Sequence, residues 1–183
     1  MVSHLIHDKE QQGLIKMIKK TRCIYLIIMS LVFAGNSFAE DVEMLSGWGI
    51  SKKKDPMTDN INVLVALQSE PYNKAGSKAG LAVRCFNNKT EFLISAEGYY
   101  GHPTSTVMMR FDKGEASSSQ WSVAQGGRAL FSMNPIDEAK KLTEHKRLLI
   151  RFQPYGQGDI DAQFNLDGAD LAIHEVRKAC SWP

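Results

Sequence analysis

Residues 81–96, LAVRCFNNKTEFLISA, decide the fold class. Leu81, Val83 and Cys85 alternate with Ala82 and Arg84; beyond the turn pair Asn87-Asn88, Phe92, Ile94 and Ala96 alternate with Leu93 and Ser95. Successive side chains of a strand point to opposite faces, so this period of two predicts two half-buried strands joined by a turn. The period extends in both directions. Upstream, Val63, Val65 and Leu67 alternate with Asn62, Leu64 and Ala66; downstream it returns at 107–111, weakly at 120–123, and again at 128–131, 148–152 and 162–166. Turn chemistry separates these runs at Gly101-His102-Pro103, Lys113-Gly114, Gly126-Gly127 and Tyr155-Gly156-Gln157-Gly158. Seven or eight such strands predict a mainly β protein, an antiparallel sheet or sandwich.

Two short helices complete the pattern. Asn134 stands as N-cap before Pro135, with Asp137 and Glu138 in the first turn and Ile136, Ala139 and Leu142 on one side. A C-terminal helix follows Asp167-Gly168, where Ala169, Ala172, Ile173, Val176, Ala179 and Cys180 recur at helical spacing and Arg177 and Lys178 suit the carbonyl end. The other face of the strands carries Leu64, Leu93, Met108 and Leu149, so a second sheet or the two helices should cover it. Residues 40–60, with Gly47-Trp48-Gly49, Lys52-Lys53-Lys54 and Asp55-Pro56, read as an irregular segment anchored by Trp48. Residues 61–183 then form a single β-rich domain.

The N-terminus reads as a leader over residues 1–39. From a start at Met17 there is a cationic stretch (Lys19, Lys20, Arg22), an apolar run from Cys23 to Ala34, and the small-x-small ending Ser37-Phe38-Ala39. These are the parts of a cleaved signal peptide, which directs the chain to the periplasm; about a dozen apolar residues fall short of a membrane span. Composition is that of a globular protein, 43% hydrophobic and 23% charged, with a formal charge of +2. Five of the 22 basic and two of the 20 acidic residues lie in the leader, so the remainder carries about −1 and no nucleic-acid footprint. Two cysteines remain, Cys85 and Cys180, and in an oxidising compartment they read most simply as one structural disulfide. A redox pair would more often show Cys-x-x-Cys, and a metal site would need further ligands.

Chemistry-bearing patterns are sparse. His102, His145 and His174 lack zinc-site spacing, no Gly-x-Ser-x-Gly elbow is present, and Ser117-Ser118-Ser119 reads as a polar loop. Asp159 and Asp161 share a strand face and could serve carboxylate-pair chemistry on a glycan, while Asp167 and Asp170 flank the next turn, where turn formation and capping explain Asp167. No catalytic, metal or cofactor residue is assigned. The more specific feature is Arg84, Arg110 and Arg151, each between two apolar residues and each facing away from the core by parity. On neighbouring strands they would form a basic row for carboxylates or phosphates; otherwise they are solvated or paired with Asp112, Glu91 and Glu97.

An ordered series of short motifs resembles a known family. Trp48, Asp55-Pro56-Met57-Thr58-Asp59, Leu81-Ala82-Val83-Arg84-Cys85, Arg110-Phe111-Asp112, Arg151-Phe152-Gln153-Pro154-Tyr155 and Val176-Arg177-Lys178-Ala179-Cys180-Ser181-Trp182 are similar to the VasI/TagO-like proteins, small exported proteins associated with type VI secretion. The resemblance implies a periplasmic accessory protein without enzymatic activity, acting through an envelope protein partner. It marks Asp55, Asp59, Arg84, Arg110, Asp112 and Arg177 as framework or contact residues, and Arg84, Arg110, Asp112 and Arg151 are the binding candidates. Two other readings compete. One is an envelope-defence factor that inhibits a lysozyme-like or phage enzyme; the other, an enzyme acting on peptidoglycan through Asp159 and Asp161.

Overall fold

The computed structural model describes residues 42–101 and 103–183; the leader lies outside them, as does His102. The alternation at 81–96 is a hairpin of β4 (Gly80–Phe86) and β5 (Lys89–Ser95), closed by Asn87 and Asn88, both at positive φ. Before it come β1 (Val42–Leu45), β2 (Trp48–Lys54) and β3 (Ile61–Gln68). After it come β6 (Thr104–Phe111), β7 (Ser117–Val123), β8 (Leu130–Ser132), helix α1 (Pro135–Glu144), β9 (Arg147–Phe152), β10 (Ile160–Asn165) and helix α2 (Ala169–Cys180). The strands form one antiparallel sheet in the order β1-β2-β3-β4-β5-β8-β7-β6-β9-β10. The mainly β antiparallel fold with two helices and a Cys85–Cys180 disulfide agrees with the sequence reading.

Within the segment 40–60, residues 42–54 are not irregular. Val42–Leu45 and Trp48–Lys54 pair through the Ser46-Gly47 turn, and β2 then pairs with β3, so the sheet starts within this segment. Trp48 does anchor it: the ring is fully buried and its Nε1–H donates to Asp167 O (3.2 Å). Ser117-Ser118-Ser119 is likewise strand, not loop, because each residue pairs with β6. Asn134 makes no side-chain cap; its own N–H donates to Ser132 Oγ (2.9 Å), and Pro135 starts the helix with its fixed φ.

One face of the sheet is the core. Val63, Val65 and Leu67 of β3, Leu81, Val83 and Cys85 of β4, and Phe92 and Ile94 of β5 are buried on it. So are Trp121, Val107, Ile150 and Phe164 of the far half, and Phe92 meets Trp121 edge to face at 5.4 Å. Both helices lie on this inner face, contributing Ala139, Leu142, Ala172, Ile173 and Val176. The disulfide (Cα–Cα 5.5 Å) fastens the end of α2 to inward-pointing Cys85.

The two halves of the sheet curl toward each other around that core. Past β3, Glu70 N–H donates to Gln163 O of β10 (2.8 Å). Gly168, at φ +81, lets the β10–α2 turn approach the β1–β2 turn; a Cβ there would stand 2.7 Å from Ser46 Cβ. Any other residue would be strained in that conformation and would also have to push the turn away.

Candidate functional site: the outer sheet face

The sequence expectation that the second face would be covered by a sheet or by the helices is not met, since both helices go to the core side. Register shows what this leaves. Cα partners share a face, and one cross-strand row runs Met44, Gly49, Ala66, Ala82, Leu93, Phe131. It crosses β1 to β8 without a polar side chain, about 24 Å at ordinary strand spacing. A second row beside it runs Val42, Ser51, Leu64, Arg84, Glu91. Glycine and alanine in the middle of the first row make a shallow trough between the larger Met44 and Leu64 on one side and Leu93 and Phe131 on the other. Met44, Leu64 and Phe86 are exposed, the last two at 40% and 47%.

Arg84 sits at the edge of this trough. Its Nε and one terminal nitrogen each lie 2.6 Å from Glu91 Oε2, directly across the hairpin. The guanidinium is 5.5 Å from the centre of the Phe86 ring and 5.7 Å from that of Phe131, within cation–π range of both. A planar cation flanked by rings and held by one carboxylate keeps a fixed orientation with part of its edge exposed. Such a surface suits protein recognition, where arginine and aromatic residues are enriched.

The three arginines do not form one row. β5, β8 and β7 separate the Arg84 strand from that of Arg110, about 19 Å along the sheet. Parity gave the shared face, but strand order was not readable from local pattern and left the row conditional; the alternative, pairing with Glu91, is what Arg84 does. Arg110 and Arg151 are on neighbouring strands, one pair out of register: Arg110 faces Leu149, and Arg151 faces Met108. Arg110 Nε donates to Gly114 O (2.9 Å), bracing the β6–β7 turn. Arg151 grips Asp161 with two nitrogens at 2.6 Å each and lies 3.9 Å from Asp159. That clamp engages the carboxylate pair: Arg151 holds the Asp161 carboxyl below its usual range, unsuited to be the member that delivers a proton.

Asp112 is a latch. Its Oδ1 accepts the N–H groups of Lys146 (3.0 Å) and Arg147 (2.9 Å), while Oδ2 lies 2.9 Å from His145 Nδ1. These bonds, the His145 one foremost, depress its pKa. Asp55 does the same at the β2–β3 turn by accepting from Met57 (2.8 Å) and Thr58 (2.9 Å), and Asp59 pairs with Lys54 at 2.6 Å. Arg177 Nε donates to Trp182 O (3.2 Å) beyond the end of α2. The motif positions singled out in the sequence thus act in turns and helix ends, and Arg84 alone among them borders the apolar trough. Sequence reasoning missed the trough itself, whose signal was the small residues Gly49, Ala66 and Ala82 at outward positions. Among the described residues no three His, Cys, Asp or Glu groups cluster as metal ligands would.

Comparison with known proteins agrees with the motif series. Residues 50–182 match the family model described as Type VI secretion system VasI, EvfG, VC_A0118. No curated protein matches the sequence. Among solved structures, invasion associated protein B from Bartonella henselae is similar in fold, with a TM-score of 0.53 at 12% identity, covering 78% of this chain and 99% of that one.

Proposed function

The chain belongs to the type VI secretion system VasI family, and from that premise we propose that it is an exported, periplasmic, non-enzymatic accessory protein that works by contact with a protein of the secretion apparatus. The observation that carries this reading is the apolar trough of the outer sheet face, bordered by the ring-flanked Arg84. Apolar surface on a small protein marks an interaction site, and neither helix lies on this face, where Met44, Leu64 and Phe86 are exposed while Gly49, Ala66, Leu93 and Phe131 are half-buried and Ala82 is buried. The leader pattern and the disulfide support an oxidising destination.

The test places a photo-crosslinking residue at Leu64 or Phe86, both exposed, and at Glu144 on α1 as control, in the protein's own host. Capture of a secretion-apparatus subunit from the two trough positions and not from the control is the expected result. Identical captures from all three positions would remove the trough as the contact surface. Capture of a cell-wall hydrolase would move the case to the inhibitor reading.

A further inference from the structure

Antiparallel pairing brings four connections out at one end of the sheet: 69–79 between β3 and β4, 96–103 between β5 and β6, 124–129 between β7 and β8, and 153–159 between β9 and β10. Four of the five tyrosines of the sequence fall in them, Tyr72, Tyr99, Tyr100 and Tyr155, together with seven of its 14 glycines. Turn formation alone asks for glycine but not for tyrosine, and connections on a rigid sheet are where binding residues concentrate.

The connections are tied to one another. Tyr155 N–H donates to Tyr99 O (2.7 Å), which sets the two backbones about 5 Å apart, as in paired strands. Tyr100 N–H donates to Gly127 O (2.9 Å), Val123 N–H to Pro103 O (2.8 Å), and Ser77 Oγ–H to Glu97 Oε2 (3.3 Å). Tyr100 is the pillar beneath: buried, 6.0 Å from the Phe152 ring, with Oη accepting from Ala96 N–H (3.2 Å). The glycines are seats for the other rings. A Cβ on Gly127 (φ +69) would stand 2.2 Å from Tyr99 Cε2, and one on Gly101 (φ +70) 2.9 Å from Tyr155 Cδ2. Each ring thus lies against the backbone of a neighbouring connection, yet Tyr99 is 56% exposed and Tyr155 63%. Two rings held in place before any ligand arrives form a surface whose ordering cost is already met by the fold.

We propose that this end of the sheet is a glycan-binding platform, on which Tyr99 and Tyr155 stack against successive pyranose rings of an extended sugar chain. The C–H face of a pyranose is weakly positive and fits the negative face of an aromatic ring, while its hydroxyls need amide and hydroxyl partners. Gln157 supplies an amide beside the rings, and the Gln153 amide is anchored by donating to Gln157 O (2.8 Å). Charge argues against a polyanion, because Glu70, Glu97 and Asp159 balance Lys74, Lys78 and Arg128 in the four connections. A protein contact of the kind assigned to the trough would mix in aliphatic anchors. The trough exposes Met44 and Leu64, whereas the large apolar side chains exposed in these connections, among the described residues, are the two tyrosines. The platform lies at the strand ends and not on the outer face, so it stands or falls apart from the accessory reading.

Titration of the ¹⁵N-labelled, disulfide-intact protein with chitotetraose, the tetramer of N-acetylglucosamine, tests the platform. The amides of Gly98, Gly101, Gly127 and Gly156 should shift saturably, while those of Leu64 on the outer face and Ile173 in α2 stay in place. Tyr99→Ala and Tyr155→Ala should each weaken binding about tenfold, and the corresponding Phe variants, which keep the ring, should stay within about twofold of wild type. Cellotetraose is the second arm: shifts by both sugars would assign recognition to the pyranose faces, and shifts by chitotetraose alone to an acetamido sugar, either result supporting the platform. No movement of these amides up to about 10 mM of either sugar, or undiminished binding by both alanine variants, would overturn it. Aromatic surfaces also take proline-rich peptides, so shifts of the same amides by hexaproline with none by the sugars would overturn the glycan assignment.

Discussion

Asp112 shows how a residue can be legible while its role is not. Its place in Arg110-Phe111-Asp112 marked it as a candidate contact, yet its carboxylate is spent on the backbone of Lys146 and Arg147. Asp112 itself is at φ +48, a conformation that Asp tolerates better than most residues, and its N–H returns the bond to Arg147 O (2.9 Å). Asp112→Ala should therefore speed amide exchange at Lys146 and Arg147 at neutral pH, with Ile150 in the adjoining strand unchanged; unaltered exchange at both amides would show that the latch holds nothing. The pH dependence has a definite sign. A carboxyl depressed in the folded state contributes stability above its ordinary value near 3.8 and loses it as pH falls through the lower folded value, so the wild-type latch should open only in strong acid. The same limit applied at Asp55: the string Asp55-Pro56-Met57-Thr58-Asp59 was recognisable, but that its first carboxylate caps two backbone N–H groups is geometry.

Elements were legible where their period was long. β3, β4 and β5 alternate over seven or eight residues and were read correctly, whereas β1 has four residues and β2 ends in three lysines that mask its inner face. The helices followed from Ala139 and Leu142, and from Ala172, Ile173 and Val176, all buried as their spacing required. What spacing could not show is that α1 also buries Glu138, at 6% exposure, with one carboxylate oxygen unpartnered among the described residues. Burial raises its pKa, opposed by a hydrogen bond from Ser132 and by Lys141. A raised folded value favours the protonated form, so this group's contribution is fully present below the ordinary 4.5 and is lost as pH rises through the folded value. Glu138→Gln keeps the shape without the charge and should raise stability at pH 7 by about 1 kcal/mol, with little gain at pH 4. Equal urea midpoints for the two proteins at pH 7 would refute the claim that α1 carries this cost.

At the scale of the whole molecule, the β class and the cysteine pair were readable because each is a local pattern or a count; strand order was not, because it depends on which distant strands meet. That gap is why the sequence left open whether the three arginines form a row, which the strand order answers, and why it could not show that the outer surface stays uncovered. The disulfide is the one long-range contact that the sequence did disclose, and it joins residues 95 apart. Closing such a loop removes freedom from the unfolded chain worth about 4–5 kcal/mol on the chain-entropy account, and strain can only reduce that. The native contacts of α2 do not need it, since Ala172, Ile173 and Val176 are buried against the sheet in their own right. The double change Cys85→Ser with Cys180→Ser, which leaves no thiol to mispair, should thus keep the fold, lower the urea midpoint, and steepen the transition as the released unfolded chain exposes more surface. If the bond instead holds α2 down in the native state, amide exchange would rise in α2 alone while the midpoint stayed put. The two mechanisms separate on that pair of measurements, and the burial of the α2 face argues for the first.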